Sequence, residues 1–381
     1  MKKFLAVLLS AMMLFTLGAF AGAEEAAEVA ETPKTEENAE VAESAAASET
    51  PEAPFIPSSA EGPIEISTAE ELKGMLYNLS ADYVLTADVD LAGEEWTPAG
   101  IFMPASMEPE EQEIPSTGYA FTGTFDGNGH TISNLRINQP EGFGVGLFGC
   151  IANTKVGNFT LENPIVDGTA MAAGAVGYAY NSTVYDVKIV GGKVTAHPSE
   201  LSAEGMYGGV VGAGMNSLIT GCSADAEIII PDGSANAGIV GGGLEGTSVV
   251  DCTATGSVTA GADCYGIGGV SGCGFGAEEF TNCKAVDVTL SVGENSFWIG
   301  SVTGYAGGYE LPEAGVPITV FTGCTAENVT IIRLAGREEL VGGAFYNETA
   351  AETYGAPYDE PTVFVIQDDA PAAEEPAEGA A

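Results

Sequence analysis

The sequence predicts an all-β protein folded as a parallel β-helix, or solenoid, of about seven coils with a short N-terminal capping helix. Three observations predict this fold. A glycine-rich pentapeptide returns about every 30 residues, apolar and polar residues alternate at a fixed distance after it, and Gly, Asn and Asp separate three short strands in each repeat. Such a period is typical of a solenoid, because each repeat buries its apolar face only against its neighbours.

The pentapeptide recurs six times. Its copies read VGLFG, AGAVG, GGVVG, AGIVG, GGVSG and GSVTG, and they end at Gly149, Gly177, Gly212, Gly241, Gly272 and Gly304. A degenerate seventh copy, VGGAF, ends at Phe345. Glycine fits where the backbone turns sharply or where neighbouring coils approach closely, so we expect a corner of the coil here.

A second position repeats ten or eleven residues after most pentapeptides. It carries Phe159, Val187, Cys222, Cys252 and Cys283, and after a longer insertion Cys324. Apolar residues also stand three places before it and two places after it, with mostly polar or small residues between them. This alternation predicts a strand with one buried face. A third apolar patch follows around Val194, Ile228, Val258, Val288 and Val329.

The N-terminus is typical of a secretory signal peptide. Lys2 and Lys3 precede an apolar run, and Ala21-Gly22-Ala23 closes it, so residues 1–23 are predicted to be removed after export. The alternative is an uncleaved anchor, because about 17 apolar residues lie near the lower limit for a spanning helix. The protein is therefore expected to be secreted or extracellular, and association with the cell surface stays open.

Two acidic segments flank the expected folded part. Residues 24–61 and 368–381 hold almost nothing to bury, so we expect a disordered linker and a disordered tail. Residues 62–120 are predicted to form an N-terminal cap and an irregular first coil, and residues 121–367 the repeats. Within the cap, Ser67-Thr68-Ala69-Glu70 predicts a capping box that opens a helix to about Leu79. The segments 83–85 and 89–91 read as strands.

Charge excludes several classes of partner. The 381 residues include 54 acidic and 11 basic side chains, a net charge of −43, which would repel nucleic acid and anionic membranes.

The sequence offers little for a metal site. His130 and His197 lie far apart and do not have the spacing of zinc ligands. The segment Asp126–Gly129 could begin a calcium loop, but a tight turn with His130 at its flank is the favoured interpretation. We assign no catalytic residue, no cofactor and no metal.

The seven cysteines favour reduced thiols over a disulfide framework. Cys222, Cys252, Cys283 and Cys324 share one repeat position and should stack on one buried face with parallel side chains, which suits a disulfide torsion poorly. The remaining three, Cys150, Cys264 and Cys273, are the better candidates for a reactive or paired thiol.

The segment FTGTFDGNGHTISNLRI at 121–137, followed by GLFG at 146–149 and recurring GG-V-V-G units, resembles bacterial GLUG-motif proteins. The resemblance covers about 64–335. It implies a secreted or surface-displayed, right-handed β-helix of an adhesin-like protein, and it implies no catalytic residue.

We therefore hypothesise a non-enzymatic interaction module. The alternatives are a carbohydrate-active β-helix enzyme, such as a polysaccharide lyase or hydrolase, with its site on an insertion loop, or a purely structural stalk. Glycans or a host or cell-surface protein are the expected partners, bound through the insertions 103–117, 193–207 and 305–319. No oligomeric state follows from the sequence.

Overall fold

The computed structural model describes residues 62–101, 119–198, 205–275, 278–306, 319–334 and 363–367. These residues belong to one compact unit, which spans Pro57–Pro104 and Pro115–Ala381. The predicted signal peptide, linker and tail, and the insertion 103–117, lie outside the described residues.

Among the described residues, one short helix precedes the repeats. Helix α1 spans Ala69–Gly74 and continues as a 3-10 turn over Met75–Tyr77. Its capping box is shifted by one residue from the sequence prediction. Thr68 is the N-cap, and its side chain accepts a hydrogen bond from the Glu71 amide while the Glu71 carboxylate accepts from the Thr68 amide. The predicted partner Glu70 is wrong, although the helix itself is confirmed.

Thirty-one strands are formed by the described residues. In chain order they are β1 (Ile64–Ile66), β2 (Tyr83–Leu85), β3 (Val89–Asp90), β4 (Phe125–Asp126), β5 (Thr131–Ser133), β6 (Arg136–Asn138), β7 (Phe143–Val145), β8 (Phe148–Ala152), β9 (Lys155–Glu162), β10 (Ile165–Gly168), β11 (Ala170–Ala173), β12 (Val176–Tyr180), β13 (Thr183–Ala196), β14 (Tyr207–Gly208), β15 (Val211–Met215), β16 (Leu218–Thr220), β17 (Ser223–Ile230), β18 (Ala235–Gly238), β19 (Gly241–Glu245), β20 (Ser248–Val250), β21 (Thr253–Ala260), β22 (Tyr265–Gly268), β23 (Ser271–Gly274), β24 (Glu279–Thr281), β25 (Lys284–Val292), β26 (Phe297–Gly300), β27 (Thr303–Ala306), β28 (Val320–Thr322), β29 (Thr325–Glu327), β30 (Thr330–Leu334) and β31 (Val363–Gln367).

The strands form three parallel sheets of a β-solenoid. Sheet 1 has 19 strands, and sheets 2 and 3 have six each. Sheet 2 is β7-β11-β14-β18-β22-β26, and sheet 3 is β8-β12-β15-β19-β23-β27. The predicted fold class is confirmed, with about six turns instead of about seven. The degenerate copy at 341–345 lies outside the described residues.

The pentapeptide forms the corner between sheets 2 and 3. Residues 208–212, 268–272 and 300–304 occupy equivalent places, as predicted. The predicted fourth copy lies one residue too early, because Gly242 pairs in register with Gly212 and Gly272. A side chain on Gly272 would overlap the backbone nitrogen of Ala237, so the column needs glycine to let two strands approach.

Regular columns of side chains fill the core. The residues that follow Cys222, Cys252, Cys283 and Cys324 pair in register, and the four thiols are at most 1% exposed, which confirms the predicted column. Towards the N-terminal end, aromatic rings fill the core. The ring centroid of Phe125 lies 5.3 Å from that of Phe148 and 5.7 Å from that of Phe159, both edge-on. One large hydrophobic core therefore runs through the coils from Ile66 to Ile331.

Candidate functional site

The predicted turn at Asp126–Gly129 is confirmed. The His130 amide donates to the Gly127 carbonyl over 2.8 Å, and Asn128 has a φ of 50°. The Oδ1 atom of Asp126 accepts hydrogen bonds from the Asn128 amide at 2.7 Å and from Nδ2 of Asn158 at 2.8 Å. This carboxylate therefore joins one coil to the next.

His130 faces a carboxylate rather than a nucleophile. Its Nδ1 lies 3.1 Å from Oδ1 of Asp88, and the side chain is 30% exposed. Two contacts lower the pKa of Asp88. The hydrogen bond from the Thr131 amide has the larger effect, and the contact with His130 adds to it. No group of three or more His, Cys, Asp or Glu side chains within the described ranges could hold a metal ion.

The structure does not single out the three cysteines that were the better candidates for a reactive or paired thiol. Cys150, Cys264 and Cys273 are no more than 2% exposed, and all seven thiols are free and buried. Burial raises the pKa of Cys150 to about 12 and that of Cys264 to about 11, and it also raises the pKa of Cys273. Thiolates are the reactive form, so these positions oppose reactivity.

Two predicted interaction loops are shorter than the sequence suggested. Lys193 lies within β13, which continues to Ala196, and Tyr207 is fully buried in β14 with its hydroxyl donating to the Thr169 carbonyl. Tyr305 is only 4% exposed in β27, and Thr319 is fully buried. These tyrosines are therefore structural and are not loop-tip anchors. Residues 199–204 and 307–318 lie outside the described residues.

An aromatic cluster that the sequence analysis missed lies at the outside of the last coils, and it comprises Tyr265, Phe297, Trp298 and Tyr305. The Trp298 and Tyr305 ring centroids are 4.3 Å apart. The rings of Tyr265 and Phe297 stack at 5.3 Å with planes 15° apart. Trp298 meets both nearly at right angles, at 6.0 Å from Tyr265 and 5.0 Å from Phe297. Tyr265, Phe297 and Trp298 are partly exposed.

The backbone of Trp298 is unusual for an aromatic residue. Its φ is 54°, in the left-handed region that favours glycine and asparagine. The strand register places it in a column with Met171, Asn236 and Gly266, whose φ values are 48°, 53° and 69°. Aligning the segments ANAG, YGIG and FWIG would reveal a tryptophan where the two preceding coils carry asparagine and glycine.

A surface groove lies where sheet 1 is irregular. Register shifts occur between Val190 and Gly192 and between Ala254 and Gly256. The cavity beside them measures about 510 Å³ and is lined by Asn163, Ile165, Gly191, Gly192, Lys193, Asp225, Ala226, Glu227, Gly256 and Ser257. The Nζ of Lys193 lies 3.2 Å from Oε2 of Glu227. The groove thus brings two carboxylates and one cation together on an exposed face.

Comparison with known proteins supports the fold. No protein-family model matches the chain. Halomucin of Haloquadratum walsbyi is 33% identical over 172 residues, which is 43% of this chain and 2% of that protein's length. A crystal structure from Bacteroides ovatus, provisionally named as an immunoglobulin A1 protease, has a TM-score of 0.51 at 20% identity, covering 81% of this chain and 85% of that one.

None of the helices formed by residues 62–101, 119–198, 205–275, 278–306 and 319–334 is long and apolar enough to span a membrane. At 20% identity the structural likeness shows the fold alone. The chain is a parallel β-solenoid similar over part of its length to Halomucin.

Proposed function

We propose that the protein is a non-enzymatic interaction module, adhesin-like and displayed outside the cell. The observation that carries this proposal is the use of its polar side chains. Residue types that enzymes use for chemistry link successive coils here instead. Asn181 donates to Asn153 over 2.6 Å, Asn282 to Asp251 over 2.9 Å, and Asn328 to Asp287 over 3.0 Å.

Hydroxyl groups have the same linking role inside the solenoid. The amides of Thr154, Ser182 and Ser217 donate to the hydroxyls of Ser182, Ser217 and Thr247, one coil further on, at distances of 3.1 to 3.2 Å. The thiols of the cysteine column donate to backbone carbonyls, as Cys283 does to Val249 at 3.2 Å. Such rigid stacking supports a scaffold that presents its outer surface to a partner.

Two sequence features support export and the family resemblance. The N-terminal signal-peptide pattern and the similarity to Halomucin, a mucin by its name, favour a place outside the cell. We propose GLUG-motif membership on the motifs alone. The segment 121–137 contributes to strands β4, β5 and β6 of sheet 1, and the glycine-rich pentapeptides form the corner between sheets 2 and 3.

The experiment is a localisation and adhesion assay on the full chain. Fractionation of producing cells should find the protein outside the cytoplasm, and the purified protein should adhere to mucin-coated surfaces or to intact cells. Retention in the cytoplasm, or adhesion no stronger than that of bovine serum albumin, would contradict the proposal.

The groove in sheet 1 favours a second candidate, a carbohydrate-active enzyme. Asp225 and Glu227 are exposed, and Lys193 stands beside Glu227, which supplies carboxylates and a cation at one place. Incubation with acidic and neutral polysaccharides, followed by reducing-sugar and unsaturated-product assays, separates the two. Release of product by the parent but not by Asp225→Asn or Glu227→Gln would establish the enzyme.

A further inference from the structure

We propose that the outer face of the aromatic cluster binds an uncharged sugar ring, which stacks on the indole of Trp298 beside Tyr265. This inference rests on the proposed function and names a site and a ligand class for it. Phe297 and Tyr305 hold the indole in place.

The cluster is built to hold Trp298 in one position. Tyr305 is 4% exposed and lies against the indole with 4.3 Å between centroids, while Phe297 and Tyr265 meet it edge-on. An aromatic ring fixed by its neighbours loses little conformational entropy when a ligand binds, which favours its use as a binding platform. Its exposed remainder is available for contact.

The backbone conformation of Trp298 belongs to its column. Met171, Asn236 and Gly266 occupy the same position in earlier coils, with φ values of 48°, 53° and 69°. Met171 shows that this position accepts a bulky side chain. The column therefore fixes the direction in which the indole of Trp298 leaves the backbone.

Surrounding chemistry selects the ligand class. Tyr and Trp rings pair an apolar face with a polar tip, which suits a ring with a C–H face and hydroxyl groups at its rim. The turns before the two strands carry exposed Asp263, Glu294 and Asn295, which can accept hydrogen bonds from hydroxyls. The Asp263 amide donates to the Glu294 carbonyl over 2.8 Å, so the two turns stack.

Net charge narrows the choice further. A chain of net charge −43 repels polyanionic glycans. Carboxylates are spread along the sequence and would attract a cation at many places, so a cation does not select this cluster. An uncharged sugar ring needs a flat aromatic surface with hydrogen-bond acceptors nearby. The aromatic cluster offers both, so an uncharged sugar is the ligand class that fits it.

The test uses tryptophan fluorescence of the full chain. The protein has two tryptophans, and Trp96 is 2% exposed with its Nε1 donating to the Leu147 carbonyl over 3.0 Å. Acrylamide should therefore quench mainly Trp298. The probes are N-acetyllactosamine, chitotetraose and mannotriose, with polygalacturonate and tetra-arginine as charged comparisons. At least one uncharged probe should protect Trp298 from quenching.

Variants then locate the site. Trp298→Asn should fold, because Asn236 occupies the equivalent position, and isothermal titration should show at least a tenfold loss of affinity for the protecting probe. Tyr77→Ala, at a ring that is 63% exposed beside the N-terminal helix, is the matched control and should bind as the parent does.

Three results would overturn the inference: no protection by any uncharged probe, protection by tetra-arginine alone, or unchanged affinity in Trp298→Asn. Mucin adhesion distinguishes this failure from failure of the proposed function. If one of these three results occurs while the parent still adheres to mucin, the interaction module stands and only the aromatic site falls.

Discussion

Nδ2 of Asn282 donates a 2.9 Å hydrogen bond to Oδ1 of Asp251, its equivalent in the preceding coil. Both residues have a φ of 54°, and Gly323 follows them in the same column with a φ of 64°. The side-chain link and the left-handed turn are therefore combined at one position, where asparagine and aspartate tolerate both.

Substitutions at Asn282 can separate the contribution of the side-chain hydrogen bond from that of the left-handed backbone. Asn282→Ala loses the hydrogen bond and places an alanine at positive φ, so the free energy of unfolding should fall by about 1–3 kcal/mol. Asn282→Gly loses only the bond and should be less destabilising, because Gly323 shows that glycine fits. Urea unfolding followed by circular dichroism measures both. Equal losses would show that backbone strain contributes nothing here.

The thiols of the folded protein should not react with thiol reagents. All seven cysteines are free and buried, so we expect no reaction with a chromogenic disulfide reagent at pH 8 in native buffer. In denaturant, protein purified without oxygen should release seven equivalents. Rapid labelling of even one thiol before unfolding would show that a described cysteine is accessible in solution.

Alkaline pH should destabilise the fold through the same groups. The pKa of Cys150 is raised to about 12 by burial, whereas an unfolded thiol titrates near ~8.5. The unfolded chain therefore loses its proton first, and the stabilising contribution, complete below pH ~8.5, is lost progressively as the pH rises towards 12. Thermal melts from pH 8 to 11 should decline less steeply in Cys150→Ala. An identical slope would assign the decline to other groups.

The shifted capping box gives a matched pair of helix variants. Glu71 accepts from the amides of Ser67 and Thr68, and these bonds lower its pKa. Glu71→Ala should lower the free energy of unfolding by about 1 kcal/mol. Glu70→Ala, one residue earlier and without those hydrogen bonds among the described contacts, should change it by less than about 0.5 kcal/mol. A larger loss of stability in Glu70→Ala than in Glu71→Ala would instead support the capping box of Ser67 and Glu70.

Replacing a corner glycine by any residue with a side chain should destabilise the fold. Gly272→Ala forces a methyl group against the Ala237 backbone, so we expect a large loss of soluble yield and a lower melting temperature. Gly74→Ala is the control, since nothing lies within 4 Å of an added methyl and its backbone is helical. That substitution should be neutral or stabilising by up to ~1 kcal/mol. Similar behaviour of the two variants would contradict the close approach at Gly272.

Periodicity allowed the sequence to predict much of the fold. The cysteine column follows from spacing because a stacked coil places equivalent residues over one another. The same reasoning misplaced the fourth pentapeptide, since Gly241, Gly242 and Gly243 carry no side chain to fix the register. At the cap, Ser67 with Glu70 and Thr68 with Glu71 give two overlapping capping boxes. Burial of Leu72 and Met75 accompanies the second one.

The candidate site was less predictable, because it departs from the repeat. Tyr305 looked like a loop residue since an insertion follows it, whereas its strand pairs with β23 and keeps it inside the cluster. Trp298 carries no motif of its own, and only its place in the column shows that it is unusual. Contacts between aromatic rings of different coils depend on side-chain direction, which spacing alone does not provide.

The register at Gly212, Gly242 and Gly272 also bears on how such chains change in length. Thirty residues separate each glycine from the next, and every column resumes one coil later. Excising 212–241 would rejoin Val211 to Gly242 and leave equivalent residues above and below each junction. A gene for this protein can thus gain or lose whole coils by recombination between similar segments, moving the aromatic cluster nearer to or further from the N-terminal helix without altering either.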